Sequence, residues 1–209
     1  MNRIEQFHLA GQVAVDLIAT RQVGERWNDP SILEGYSVGG LAAHLGRALV
    51  TVDAYLDVAP PAVDAAVVDA PTYFALALGD HDPVDSEFHA KVRERGNAAA
   101  AAGQAALMVE LRDVHTRLAA RLLDPDRLIA VLGGTVMALS AYLETRLVEL
   151  VIHTVDLADS VGLQVPVMDA TIWESVARTI SETAVQRNDA SAVALGLARP
   201  NRYPSLRAF

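Results

Sequence analysis

Five polar side chains, Arg146, Glu149, His153, Asp156 and Ser160, follow one another at intervals of three and four residues. That spacing puts them on one stripe of a helix. The segment around them is otherwise apolar on nearly every side, with Met137, Leu139, Leu143, Leu147, Leu150, Val151, Val155 and Leu157, and a helix of that kind is buried. Charged groups facing a core are costly unless they pair with one another or bind a metal ion. Two arrangements satisfy the stripe. Arg146 can pair with Glu149 and His153 with Asp156, which makes a salt-bridged face and no site. Alternatively Glu149 and His153, at i and i+4, reach one point in front of the helix and form a two-ligand arm for a metal, with a third ligand from another helix.

His44 bears on that choice. It lies in the apolar run Leu41-Ala42-Ala43-His44-Leu45, where an ordinary core histidine is one reading. Joined to Glu149 and His153 it completes a two-histidine, one-carboxylate set, and three protein ligands with an open position suit a catalytic divalent metal. Cysteine chemistry is excluded, because the 209 residues contain none. Lys91-x-Arg93-x-Arg95 is either a solvated face or an anion-recognition patch, since arginine forks match carboxylates. His8, His81, His89 and His115 read as solvent-facing or packed. Gly35-Tyr36-Ser37-Val38-Gly39 matches a nucleophile elbow, but that motif needs a strand before it and none precedes Gly35. Ser37 is expected to cap a helix instead.

The elements that would position these residues are read from apolar periodicity. Residues 4 to 20 carry Ile4, Phe7, Leu9, Val13, Leu17 and Ile18 on one helix face. A loop from Trp27 to Tyr36 leads to the Ser37 cap and a helix to about Asp57, stopped by Pro60-Pro61. The first two helices are expected to pack antiparallel through a short connection. Residues 59 to 85 form a long, proline-punctuated connection with one short helix at 73 to 78. One long helix from Ser86 to Leu123 follows, weakest at Gly103. After a break at Gly133-Gly134 the apolar helix is expected over 135 to 161, closed by Gly162. Asp169 caps a last helix, and 190 to 209 read as irregular. The expected fold class is all-α: a four-helix bundle with a long connection between helices 2 and 3 and an extra C-terminal helix. Residues 1–163 form the bundle, and 164–209 pack on the same domain.

With 26 acidic against 17 basic residues and a net charge of -9, a nucleic-acid or anionic-membrane surface is not expected. No apolar run is long enough to span a membrane, and no signal peptide opens the chain, so the expected setting is cytoplasmic. The apolar repeat of the last helix suits either a cover for the bundle or a homodimer contact.

Two motifs together resemble a known family. Trp27-x-x-Pro30-Ser31-x-Leu33-x-Gly35-Tyr36-Ser37-Val38-x-x-Leu41-x-x-His44-Leu45 is similar to the opening signature of the mycothiol-dependent maleylpyruvate isomerase N-terminal domain, within the DinB-like superfamily of metal-binding four-helix bundles. Arg146-x-x-Glu149-x-x-x-His153-x-x-Asp156-Leu157 resembles its second half. The resemblance covers about residues 4 to 162. It implies His44, Glu149 and His153 as metal ligands with zinc the usual occupant, Asp156 as a supporting or packing group, and Arg146 as a partner of Glu149. It also implies mycothiol as a thiol cosubstrate and a small electrophile as substrate, hence a metal-dependent thiol transferase or isomerase. A hydrolase on the same metal, or a non-catalytic bundle, are the alternatives. The chain departs from the family in two ways. About 47 residues follow Gly162 where a full-length isomerase of this type has a further domain. Gly39-Gly40 also stand where the family often has an acidic residue, so a weaker helix cap is expected there.

Overall fold

In the computed structural model, residues 1–62, 64–79 and 87–199 are described, apart from the side chains of Leu78, Phe88 and His89. His81, Pro83 and the tail 200–209 therefore lie outside the described residues. The fold is an all-α, DinB-like bundle. Its helices begin where side chains can accept their unpaired N–H groups. Asn2 caps α1 (Arg3–Ile18) through a reciprocal capping box with Glu5. After the short α2 (Arg21–Glu25), Ser37 Oγ accepts the N–H of Gly40 and starts α3 (Val38–Tyr55). The two glycines leave that cap intact. Gly39 lies under the Trp27 ring, where a Cβ would sit 2.5 Å from indole carbon, and Gly40 faces Asn97 closely. An acidic side chain has no room at either position.

The long connection carries α4 (Ala70–Leu78), which begins three residues earlier than the sequence suggested. Asp69 caps it through Thr72 N–H, and Pro71 sits in the first turn, where a proline costs no hydrogen bond. The expected single helix from 86 to 123 is divided at Gly103, whose φ of 83° ends one helix and opens another. The pieces are α5 (Glu87–Ala99), a 3₁₀ turn over Ala100–Ala102, and α6 (Gly103–Arg121). Residues 135 to 138, expected as helix, are not helical, and 136 to 138 form strand instead. β1 (Leu128–Ala130) pairs antiparallel with β2 (Val136–Ala138), Ile129 opposite Met137, around Gly133 and Gly134 at positive φ. Three apolar residues in a row do not distinguish a short strand from helix. The site helix α7 thus runs Leu139–Val161 and ends on Gly162 in the left-handed conformation. α8 (Ala170–Arg187) starts at Asp169. The tail is not irregular throughout, because Asp189 caps α9 (Ala190–Ala198), a run of strong helix formers.

The bundle consists of α1, α3, α6 with its α5 extension, and α7. Cross-helix bonds give the directions. Gln104 donates to the carbonyls of Ile18 and Thr20 while His115 meets that of His8, so α6 runs antiparallel to α1. Tyr142 bonds Thr51 at one end and Glu149 faces His44 at the other, so α7 is antiparallel to α3. Asn97 lies by Gly35 and Ser37, and Arg117 by Asp53, so α5 and α6 run parallel to α3. α1 and α3 are therefore opposed across the diagonal, each packed mainly on α7 and α6, rather than forming a neighbouring hairpin. The connection between them is occupied by α2 and by a loop whose Trp27 Nε1 donates to Ala100 carbonyl. Gly11, tight against Leu49 and His115, permits the diagonal approach. The core is mainly aliphatic, with Leu41, Leu45, Leu49, Leu111, Leu118, Leu143 and Leu147 fully buried beside the Phe7 ring. α8 packs on α4 and α7 outside the four-helix layer. Among the described residues no helix is long and apolar enough to cross a membrane.

Candidate metal centre

The polar stripe of α7 meets the N-terminal half of α3. Glu149 Oε2 stands 3.3 Å from His153 Nε2 and 3.7 Å from His44 Nε2, and the two imidazoles meet edge to face with centroids 4.8 Å apart. Among the described residues His44, Glu149 and His153 offer one ligand atom each, all within 4.8 Å of one another. Tetrahedral zinc with bonds of about 2.0–2.1 Å separates its ligands by about 3.3 Å. The two spacings to Glu149 equal that value or exceed it by tenths of an ångström, and the histidine nitrogens lie within 4.8 Å of each other, so a small contraction would close the set on a small divalent cation.

Neighbours fix each member. His153 Nδ1 lies 2.9 Å from Asp156 Oδ2, which leaves Nε2 facing Glu149. Asp156 is held through its backbone, whose carbonyl accepts from Ser160, and Ser160 in turn accepts the Ile32 N–H. Burial alone would push the His153 pKa down, but the hydrogen bonds it donates to Asp156 and Glu149 outweigh it and raise it to about 9. Burial, with the charge of His153 beside it, pushes His44 down to about 4, so its ring is neutral at pH 7. Burial would raise the Glu149 carboxyl, yet the bond from His153 and the charge of Arg146 hold it well below the usual carboxylate range. His44 Nδ1 is buried without a hydrogen-bond partner. A buried unmet polar atom is a standing cost, and because Nε2 is the nitrogen that faces Glu149, coordination there would leave Nδ1 still unmet.

A family model of the mycothiol maleylpyruvate isomerase N-terminal domain matches residues 9–158. The chain belongs to that family. No curated protein and no solved structure matches it. In this chain, Arg146 does not close a tight bridge to Glu149. Its Nη2 is 4.0 Å from Oε1, its Nε donates to Thr145 Oγ1, and its guanidinium lies 5.0 Å from the centre of the Tyr142 ring.

The remaining sequence candidates are dispersed. Lys91 is spent on Glu87 at 2.7 Å, and Arg95 Nε donates to the Lys91 carbonyl on the same helix. Arg93 turns the other way and lies along Gly35. His8 and His115 pack edge to face at 5.6 Å on α1 and α6, away from the centre. Ser37 only caps α3. Periodicity did not single out the tyrosines. Of the chain's five, Tyr36 lies 5.4 Å from the His44 ring, and Tyr142 lies under the Arg146 guanidinium with Tyr55 and Tyr73 beside it at 5.4 and 6.3 Å. Tyr36 stood within the opening motif. Tyr73 comes from α4, whose placement no local pattern reveals.

Proposed function

We propose that this domain is a metal-dependent thiol transferase or isomerase that uses mycothiol against a small electrophilic substrate. His44, Glu149 and His153 would hold the divalent metal, zinc by the chemistry of a two-histidine, one-carboxylate set. The observation that carries the reading is the convergence of these three ligand atoms from two helices in a chain of this family. A divalent cation lowers the pKa of a thiol and supplies a nucleophilic sulfur at neutral pH. The chain has no cysteine, so the sulfur belongs to the cosubstrate.

The protein's own groups have separable tasks. Asp156 orients His153 through Nδ1, so that one nitrogen alone faces the centre. Arg146, at 4.0 Å, keeps Glu149 ionised without occupying it. Tyr142, fully buried and bonded to Thr51, and Tyr73, nearly so, make a dry wall under the Arg146 guanidinium on the side of α4. A dry wall strengthens the electrostatics of the groups within it.

Elemental analysis of untagged protein tests this reading. About one divalent ion per chain is expected, lost in His44→Ala and His153→Ala. The metal-loaded protein should then transfer mycothiol to members of an electrophile panel. A wild-type protein that stays metal-free after zinc is added overturns the proposal.

A further inference from the structure

The two histidines of the centre are held in different ways. A metal-binding imidazole ordinarily donates its second ring nitrogen to a carboxylate or a carbonyl, which fixes the direction of the first. His153 follows that rule through Asp156. His44 does not. Its Nε2 faces Glu149, while its Nδ1 is buried with no hydrogen-bond partner. Rings stand where the bond is missing. His153 meets His44 edge to face with centroids 4.8 Å apart, and Tyr36 lies against it at 5.4 Å with the planes tilted by 37°.

Tyr36 in turn has a fixed seat. Its N–H donates to the Leu33 carbonyl, and its own carbonyl accepts the Ser31 N–H, which closes the turn before α3. Asn97 of α5 grips the residues on both sides of it. Its Nδ2 donates to the Gly35 carbonyl, and its Oδ1 accepts the Ser37 N–H. Next to Asn97 stands Gly96, where a Cβ would come within 2.9 Å of Tyr36 Cε1 and 3.0 Å of the Gly40 carbonyl oxygen. The Tyr36 hydroxyl makes no hydrogen bond among the described residues, so the ring alone makes these contacts.

We infer that Tyr36 is the positioning residue of His44: its ring, seated on Gly96 and locked through Asn97, aims His44 Nε2 at the centre by packing, where a hydrogen bond to Nδ1 would otherwise do so. The inference rests on the proposed function, because only a metal gives the aim of Nε2 its value, but the packing exists without metal and is testable without it. Two consequences separate it from a general structural role. The ring matters and the hydroxyl does not. And α5, which supplies no ligand, controls the grip of the site on a cation.

The experiment compares wild type with Tyr36→Phe, Tyr36→Leu and Asn97→Ala. Zinc affinity, measured by competition with a chelator, should stay within about twofold of wild type in Tyr36→Phe. It should fall about tenfold or more in Tyr36→Leu, the size of a lost orienting partner, and several-fold in Asn97→Ala. With cobalt(II) in place of zinc, the visible spectrum of Tyr36→Phe should match wild type and that of Tyr36→Leu should not, a change that lost stability alone does not produce. In the metal-free proteins, the His44 ring signals in nitrogen–proton NMR spectra should be sharp in wild type and Tyr36→Phe, and broadened or doubled in Tyr36→Leu. If Tyr36→Leu does not fold, Asn97→Ala carries the same comparison. Equal zinc affinity in wild type and Tyr36→Leu, a loss in Tyr36→Phe as large as in Tyr36→Leu, or His44 signals unchanged by Tyr36→Leu overturns the inference. Failure of the metal reading looks different: wild type takes up no zinc, while the His44 signals still broaden when the Tyr36 ring is removed.

Discussion

At the scale of the residue, the proposed metal site would set a cation against a proton for His153 Nε2. In the metal-free protein His153 is protonated, with its pKa raised to about 9 by Asp156 and Glu149. Because the folded value lies above the unfolded one of about 6.5, protonation adds stability that is complete below pH 6.5 and is lost as the pH rises toward 9. This amounts to at most about 3 kcal/mol. His44 has the opposite sign. Its folded pKa of about 4 lies below the unfolded value, so stability falls as the pH drops from 6.5 to 4. A metal held as proposed would displace the His153 proton, so zinc affinity is expected to rise about tenfold per unit between pH 6.5 and 8.5. Competition titrations against a chelator at several pH values measure this slope, and a flat profile would show that His153 is not a ligand. Asp156→Asn should weaken zinc by about 10–100-fold and shift the pH-dependent rise lower. Much of this was legible in the sequence, because the 3-and-4 spacing placed Glu149, His153 and Asp156 on one stripe of α7. What spacing left open was whether Arg146 closes on Glu149 as a salt bridge. That depends on Tyr142, which draws the guanidinium to its ring.

At the scale of the element, caps and glycines decide the geometry. Trp27 stacks on Gly39 and is pinned by its bond to Ala100. Gly39→Ala gains about 1 kcal/mol of helix propensity, but it drives a methyl into a rigid ring that cannot move without losing that bond. A net loss of about 1–3 kcal/mol is expected, read by chemical denaturation. An unchanged midpoint would show that the Trp27 loop yields easily. The helix starts at Ser37 and Asp169 were readable because their caps are local. The start of α7 was not. Val136 and Met137 suit either conformation, and pairing with Leu128–Ala130 decides for strand. The Gly103 break was visible only as a weak point, because the backbone turn there depends on packing of the alanines before it.

At the scale of the molecule, α8 serves the bundle although the matched family segment ends before it, at residue 158. It buries Ile172 and Val176, and Gln6 on α1 bonds both Thr171 and Ser175. It also backs α4, with Gln186 donating to Thr72 and Arg187 to the Gly79 carbonyl. A chain cut after Leu163 uncovers both faces, a loss of roughly 5 kcal/mol or more of apolar burial. Its melting temperature should fall by about 10 °C or more, and circular dichroism melts would show it. A truncated chain that melts like the full one would make α8 an appendage. This support of α4, and through it of Tyr73, was hidden in the sequence because it joins residues about a hundred positions apart.

The division of the three donors between α3 and α7 also sets when a metal can be captured. At about 5–20 residues per second, a ribosome needs roughly 5–20 seconds after placing His44 to reach Glu149. Throughout that interval the nascent chain holds one donor and lacks the rest. Metal loading at the proposed site would therefore wait for α7, and a fragment released before α7 should leave zinc in solution.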